Sequence, residues 1–466
     1  MDKNSLWAHR LYIAECRLIP KVLLPNGILS IAGWPGVTMD QPVASTSANI
    51  LEILLLYTAH VLLPAYLLLT TAKRSLLRYL SIPVSICILH RAIHVASLLG
   101  PGFIWCELAR LFLTVACQSL NLLLINSKDG HDIPPDVGQG VLKRIYISSQ
   151  FFTHPRGINT PWQINNTPPQ PTYYERNNMA VPTRKRFLIR QFSIASWQYL
   201  ALDMFSALAL RQAMEQEKSG TLSSTVQWNI STEQLIERIV SNLMAGFVVS
   251  RILIDFHHRV FSVIAVGIGL DSTSDWPPLF GKATDTYSLR GFWSKFWHQL
   301  LQQPLTSISR LITRDALGLA PNSTLQRYMN ICIVFFLSGG LHVVLDIVQG
   351  IPSQESGAML FFALAPLGLI VEDAFKALWR RILNQNKESK TQTDAPLPRS
   401  QRLLGLAWTM VWLGITSTWY FYPQMLRPQN QNLVPFSFAD QVGLPVILSA
   451  VTMGGVILAF TFQVEV

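Results

Sequence analysis

The chain has 466 residues, half of them hydrophobic and only 14% charged, with a mean hydropathy of +0.29. A soluble domain carries about 25% charge, so both a cytosolic globule and a disordered chain are disfavoured. The net charge of +10 does not point to nucleic acid, because the basic residues lie between long apolar runs, where they meet anionic lipid and set orientation. Five cysteines (Cys16, Cys87, Cys106, Cys117, Cys332) contain no CxxC pair, so neither a disulfide framework nor a metal site is indicated. The composition is that of an integral membrane protein.

Residues 1–47 carry Lys3, Arg10, Arg17 and Lys21 ahead of a weak apolar stretch broken by Pro25 and Gly27. No compact apolar core with a small-residue cleavage site follows, so an uncleaved lumenal or interfacial segment is expected. The remainder, 48–466, is expected to form a single membrane-embedded domain. A hydrocarbon core about 30 Å thick needs about 20 apolar helical residues. Nine stretches meet that test, near 48–71, 79–98, 103–125, 192–212, 237–256, 328–348, 357–377, 403–422 and 442–463. The predicted fold is therefore an all-α, polytopic transmembrane bundle. The apolar segment 258–270 is too short to span and reads as re-entrant or interfacial. A polar linker is expected at 384–401.

Lys73, Arg74 and Arg78 follow the first span, and Lys143, Arg144, Arg184, Lys185, Arg186 and Arg190 lie in the long loop 126–191. Arg259, Lys282, Arg290, Lys295, Arg310, Arg314 and Arg327 lie in or beside 257–327, and a further basic group occupies 380–402. Nine alternating spans put all of these loops on one side. By the positive-inside rule that side is the cytosol, which also receives the C-terminus, and the expected membrane is the endoplasmic reticulum. The loops 99–102, 349–356 and 423–440 hold one basic residue, Arg427. Loop 213–236, on the same lumenal side, carries the sequon Asn229-Ile230-Ser231, the expected glycosylation site. The sequons at Asn165 and Asn322 fall on the cytosolic side.

Residues 284–304 are the most informative stretch. Ser288 is placed to cap a helix that Pro304 ends. Leu289, Phe292, Trp293, Phe296, Trp297, Leu300 and Leu301 follow helical spacing and form one apolar stripe. Arg290, Ser294, His298 and Gln302 share the opposite face. Such a helix is expected at the membrane surface, aromatic residues inward and polar face toward a cytosol-facing cavity. An anchoring helix with an incidental histidine and a helix contributing His298 to a site fit this periodicity equally well.

Span 328–348 contains Ser338-Gly339-Gly340-Leu341-His342 and, one turn on, Asp346. Entering near Arg327, it carries His342 about 20 Å deep at 1.5 Å per residue. A titratable side chain there is costly to expose to lipid and usually faces a bundle interior. Ser338 and Asp346 share its face, and Asp346 is expected to hold the imidazole in one tautomer. Gly339 and Gly340 allow close packing or close substrate approach. The alternative is a structural His–Asp pair joining two helices. Glu52, His90, His94, Glu107, Asp203, Asp255 and Glu372-Asp373 read as interhelical hydrogen-bond partners. His257 and His258 face different directions on a helix. No Gly-rich phosphate loop, HExxH or GxSxG occurs.

Phe292-Trp293 with Trp297-His298, followed about forty residues later by Ser338-Gly339 with His342, resembles the membrane-bound O-acyltransferase superfamily. More closely it is similar to the fungal wax-synthase-like branch, which includes O-acetyltransferases of terpenoid and meroterpenoid pathways. Arg156-Gly157-Ile158-Asn159-Thr160-Pro161-Trp162, the lead-in Tyr287-Ser288-Leu289-Arg290 and Glu372-Asp373 fit the same branch. Asn159 stands where many relatives carry glycine. The resemblance covers about residues 140 to 380. It implies that His342 is the catalytic base within the membrane and that His298 is the other active-site residue.

Alcohol acylation by a thioester needs a base for the hydroxyl proton and donors for the oxyanion. A buried neutral imidazole suits the first role, and His298 or Ser338 the second. Trp293, Trp297, Ser338 and Asp346 are the expected supporting residues. No activated serine or cysteine nucleophile is evident, which favours direct transfer in a ternary complex. The expected reaction moves acetyl from acetyl-CoA to a hydroxyl of a lipophilic terpenoid or meroterpenoid that enters from the bilayer. The CoA phosphates are expected to meet Arg290, Lys295, Arg310 or Arg314. The alternatives are a long-chain wax or sterol ester synthase; a transporter, against which the absence of repeated halves counts; and a terpene cyclase, which would rely on carboxylates.

Overall fold

The computed structural model describes residues 44–99, 103–132, 140–175, 182–219, 229–384, 398–425, 427 and 432–462, all within the unit Pro42–Val466. The expected N-terminal segment up to residue 43, and most of the linker expected at 384–401, lie outside the described residues. The long helices in chain order are α1 (Ala44–Thr70), α2 (Leu76–Leu98), α3 (Phe103–Ser119), α4 (Val141–Thr153), α5 (Arg184–Ser219), α6 (Thr232–Gly267), α7 (Gln302–Arg310), α8 (Thr324–Val348), α9 (Ala358–Asn384), α10 (Arg399–Thr416), α11 (Thr418–Met425) and α12 (Leu444–Phe462). No strand occurs among the described residues.

Each predicted apolar stretch is helical, and among the described residues seven helices are long and apolar enough to cross a membrane. Two predicted spans, 192–212 and 403–422, fall on α5 and on the α10–α11 pair, which do not reach that threshold. For α5 the reason is visible in its polar residues, which face protein. Asp203 is fully buried and accepts the Ala439 N–H at 2.8 Å, while Gln198 donates to Asp255 at 2.7 Å.

The segment 258–270 is not a separate re-entrant element. It continues α6, a 36-residue helix about 54 Å long, and ends only where Gly269 turns to φ +83°. A π-helical interval, Met244–Val249, lies within it. Among its basic residues, Arg259 is held by Asp255 at 2.7 Å.

Helices α8 and α9 pack along one another, and Gly339 is where they meet. A Cβ there would lie 3.1 Å from Met359 Sδ and 3.2 Å from Phe362 Cβ, so the glycine serves close helix packing. Helix α5 lies against the later half of α6 and against α12, and α1 against α2 and α4. The cluster nearest the histidines joins Phe247 of α6, Leu289, Phe292, Phe361 and Phe362 of α9, Leu413 and Tyr420.

Two loop anchors carry the basic end. Fully buried Arg78 donates to the carbonyls of Thr71 at 2.7 Å and Lys128 at 2.6 Å. Arg156 donates to the carbonyls of Pro277 and Pro278 at 2.8 and 2.6 Å. Asn159 adopts φ +59°, a left-handed conformation open to glycine and tolerated by asparagine. Its side chain donates to Asp275 at 2.7 Å.

Candidate active site

Ser288 caps as expected: its Oγ accepts the Gly291 N–H at 3.0 Å. The helix predicted to continue to Pro304 does not form. One α-turn, Leu289–Gly291, widens into a π-turn, Phe292–Phe296, in which the Trp297 N–H reaches the Phe292 carbonyl at 2.7 Å. At Trp297 the backbone becomes extended (φ −69°, ψ 148°). Helix resumes at Gln302, so Pro304 stands in the first turn of α7, where its missing N–H has no intrahelical partner to lose.

Nor does this segment lie on the surface. Leu289 and Phe292 are buried, and a Cβ on Gly291 would strike the Asp285 carbonyl. Phe292 stacks on Trp297 (5.5 Å between centroids, 19°), and Trp293 meets Phe335 of α8 edge-on at 5.4 Å. Such ring pairs are satisfied inside the protein rather than against lipid. Helix α9 clamps the segment's start: Glu372 accepts the Leu289 N–H at 2.6 Å. One oxygen of Asp373 accepts from Arg290 at 2.5 Å, Arg327 at 3.0 Å and the Tyr328 hydroxyl at 2.9 Å. The interhelical role expected of Glu372-Asp373 is the one observed.

This segment, α3, α5, α6 and α8 enclose a cavity of about 820 Å³. One face of α8, from Asn330 through Val334, Ser338 and His342 to Gln349, lines it. That stretch is about 28 Å long, nearly the length of the helix. His298, Trp293 and Trp297 line the same cavity.

The His342 ring leans back along its helix, and Nδ1 lies 2.7 Å from the Ser338 carbonyl oxygen. A carbonyl only accepts, so Nδ1 carries the hydrogen and Nε2 keeps a lone pair. Nε2 has no protein partner among the described residues. Phe362 at 4.4 Å and Tyr420 at 5.8 Å hold the ring between them.

Asp346 does not orient this imidazole. It accepts instead from Ser356 at 2.6 Å and Gln424 at 3.0 Å. Helical side chains tilt toward the N-terminus, which carries His342 over Ser338 and away from Asp346. The tautomer is thus set by a main-chain carbonyl, and the contribution of Ser338 to that ring is its backbone.

His298 packs against Trp297 and Phe280. Burial, with the Arg110 charge in support, pushes its pKa down to about 3, so the ring is neutral at physiological pH. Its Nδ1 is buried without a partner.

Of the four basic residues expected to meet a coenzyme, Arg290 lines the cavity. Lys295, Arg310 and Arg314 are exposed on the outside and do not line it. Helix α7 turns Leu305 and Ser309 inward, which leaves Arg310 and Arg314 facing out. Sequence reasoning missed Arg110, whose cavity position was signalled by two opposite charges one turn apart in an otherwise apolar span.

The membrane bound O-acyl transferase family matches residues 276–364, an interval that contains both histidines. The chain is 33% identical over 417 residues to the acetyltransferase spyB of Aspergillus fumigatus, covering 87% of this chain and 70% of the relative. It is 31% identical over 440 residues to the acetyltransferase pyr8 of the same fungus, 92% of this chain and all of the relative. To the acetyltransferase atnC of an Arthrinium species it is 32% identical over 435 residues, 88% and 96% of the two chains. Fold and similarity together define a multi-pass membrane enzyme that transfers acyl groups. The chain belongs to the membrane-bound O-acyl transferase family, within its branch of fungal acetyltransferases.

Proposed function

We propose that this protein moves acetyl from acetyl-CoA to a hydroxyl of a terpenoid or meroterpenoid. We place it in the endoplasmic reticulum membrane, with its basic loops and C-terminus in the cytosol. The observation that carries the chemistry is the unpartnered Nε2 of His342 on a cavity shared with His298. The acceptor hydroxyl gives its proton to that nitrogen as its oxygen attacks the thioester carbonyl. Collapse of the tetrahedral intermediate breaks the C–S bond, and the imidazolium returns the proton to the departing CoA thiolate.

His298 supplies the oxyanion donor. Nothing accepts a hydrogen at its buried Nδ1, and an orphaned N–H is rarer than an orphaned acceptor. The hydrogen therefore sits on Nε2, facing the cavity. Trp293 and Trp297 wall the site.

The names of the relatives support acetyl as the acyl group. A lipophilic acceptor is supported by Leu208 of α5 and Val240 and Met244 of α6, which line the cavity and are also exposed, so the cavity borders lipid between these helices. CoA enters at the opposite mouth, where Arg290 exchanges Asp373 for a phosphate. Lys295, Arg310 and Arg314 attract the anionic coenzyme from the surface.

The test is an assay on microsomes containing the full chain, given hydroxylated terpenoids with acetyl-CoA or palmitoyl-CoA. Acetyl transfer well above palmitoyl transfer is expected. Equal use of palmitoyl-CoA overturns the acetyl assignment in favour of a long-chain ester synthase, and transfer of neither overturns the proposal.

The lumenal assignment of loop 213–236 has its own test. Asn229 is exposed, and Ser231 begins α6 in a capping box with Gln234. Endoglycosidase treatment is expected to shift the protein on a gel, and Asn229→Gln to remove that shift completely. A shift that survives in Asn229→Gln reverses or breaks the topology.

A further inference from the structure

The chemistry above leaves a second charged group in the cavity unused. Arg110 and Glu107 belong to the apolar helix α3, and both line the cavity. The Arg110 Nε donates to Glu107 at 2.7 Å, and the side chains are only 22% and 11% exposed. The two Nη groups donate to no protein acceptor among the described residues. Unpaired donors inside an apolar bundle are costly, and a leucine would serve packing in α3 better.

The neighbours say what the group is for. Gln349, at the end of α8 remote from Arg327, lines the same cavity, as do Gln212 of α5 and Gln424 of α11. This polar end lies away from the mouth where Arg290 sits. Arg110, His298 and His342 line one cavity, so a molecule held by Arg110 can present another group to the histidines.

We propose that Arg110 binds the acceptor alcohol through a carbonyl oxygen remote from the hydroxyl that is acylated. Glu107 already neutralises the guanidinium, so the group bound is an uncharged acceptor such as a ketone or lactone rather than a carboxylate. The inference rests on the acyl transfer proposed above and narrows its substrate class. The acceptor is a lipophilic alcohol that also carries a carbonyl. One hydrogen bond from a charged donor discriminates by about 10- to 100-fold.

The test uses microsomes with the full chain, acetyl-CoA and a panel of hydroxylated terpenoids, each bearing a ring ketone and paired with its deoxo counterpart. Wild type is expected to favour the keto member of at least one pair by about 10- to 100-fold in kcat/KM. The double variant Glu107→Gln/Arg110→Met, which leaves no lone buried charge, is expected to lose that preference through a raised KM for the keto compound. Its KM for acetyl-CoA and its rate on the deoxo compound stay as in wild type. Equal use of both members by wild type, or a preference that survives in the double variant, overturns the role of Arg110 while leaving acyl transfer intact. A double variant inactive on every compound, although it accumulates and binds acetyl-CoA, makes Arg110 part of the catalytic machinery and also overturns it. Acetylation of no panel member by wild type overturns the acyl-transfer reading itself.

Discussion

Acetyl transfer by the His342→Ala protein is expected to fall by about 10²- to 10⁴-fold, the span of a lost general base. The ring is the cavity-lining group whose nitrogen lone pair is fixed toward the space, because the Ser338 carbonyl occupies the other nitrogen at 2.7 Å. Alanine removes both the base and the hydrogen bond without adding bulk between Phe362 and Tyr420. The loss should therefore appear in kcat, with the KM values for acetyl-CoA and acceptor little changed and the protein accumulating normally in membranes. Asp346→Asn is the informative companion. Since Asp346 bonds Ser356 and Gln424, that change is expected to affect stability in detergent more than the pH–rate profile. Wild-type turnover in His342→Ala removes the assignment of the base. A displaced pH–rate profile in Asp346→Asn would restore Asp346 as the group that tunes the imidazole.

Replacing His298 with alanine is expected to lower kcat by about 10²- to 10³-fold, as for loss of one oxyanion donor. His298→Asn, which keeps a short N–H donor, should recover much of that loss. The two changes separate a donor from a base. With its pKa at about 3, His298 is already neutral across pH 5 to 8, so neither variant should alter the acid limb of the kcat profile. As pH falls from 6.5 toward 3 this ring takes up a proton in the unfolded chain but stays neutral in the folded one, so its acid sensitivity appears as a loss of stability across that window. Equal activity in the alanine and asparagine variants removes the donor role, and movement of the acid limb in either variant reassigns His298 as a titrating base.

The second experiment depends on how the chain bends after Phe292. Periodicity over Leu289–Leu301 describes a helix well enough, but periodicity cannot register where a helix widens. The π-turn at Phe292–Phe296 and the extended backbone at Trp297 come from contacts far away in sequence: Glu372 on the Leu289 N–H, Phe335 on Trp293 and Phe247 on Trp297. The basic residues suffered the same limit. Arg290, Lys295, Arg310 and Arg314 are equivalent as charges in a loop; the packing of α7 turns Arg310 and Arg314 outward, and the α9 clamp on the segment at Leu289 leaves Arg290 lining the cavity. Asp346 was legible as sharing a face with His342, whereas the backward tilt of helical side chains, not the face, decides which group meets the ring.

By itself the sequence determined that this is a helical membrane protein, because lipid leaves a 20-residue apolar run no other way to satisfy its backbone. It also singled out His342, through the expense of an imidazole at depth, while His298 stood out only through the resemblance of its motif to the acyltransferase family. Tertiary structure alone decided that both rings line one cavity, that His342 is oriented by a carbonyl one turn back, and that Arg110 shares the space. Those facts depend on how separate helices enclose a volume, and an enclosed volume has no signature in local pattern.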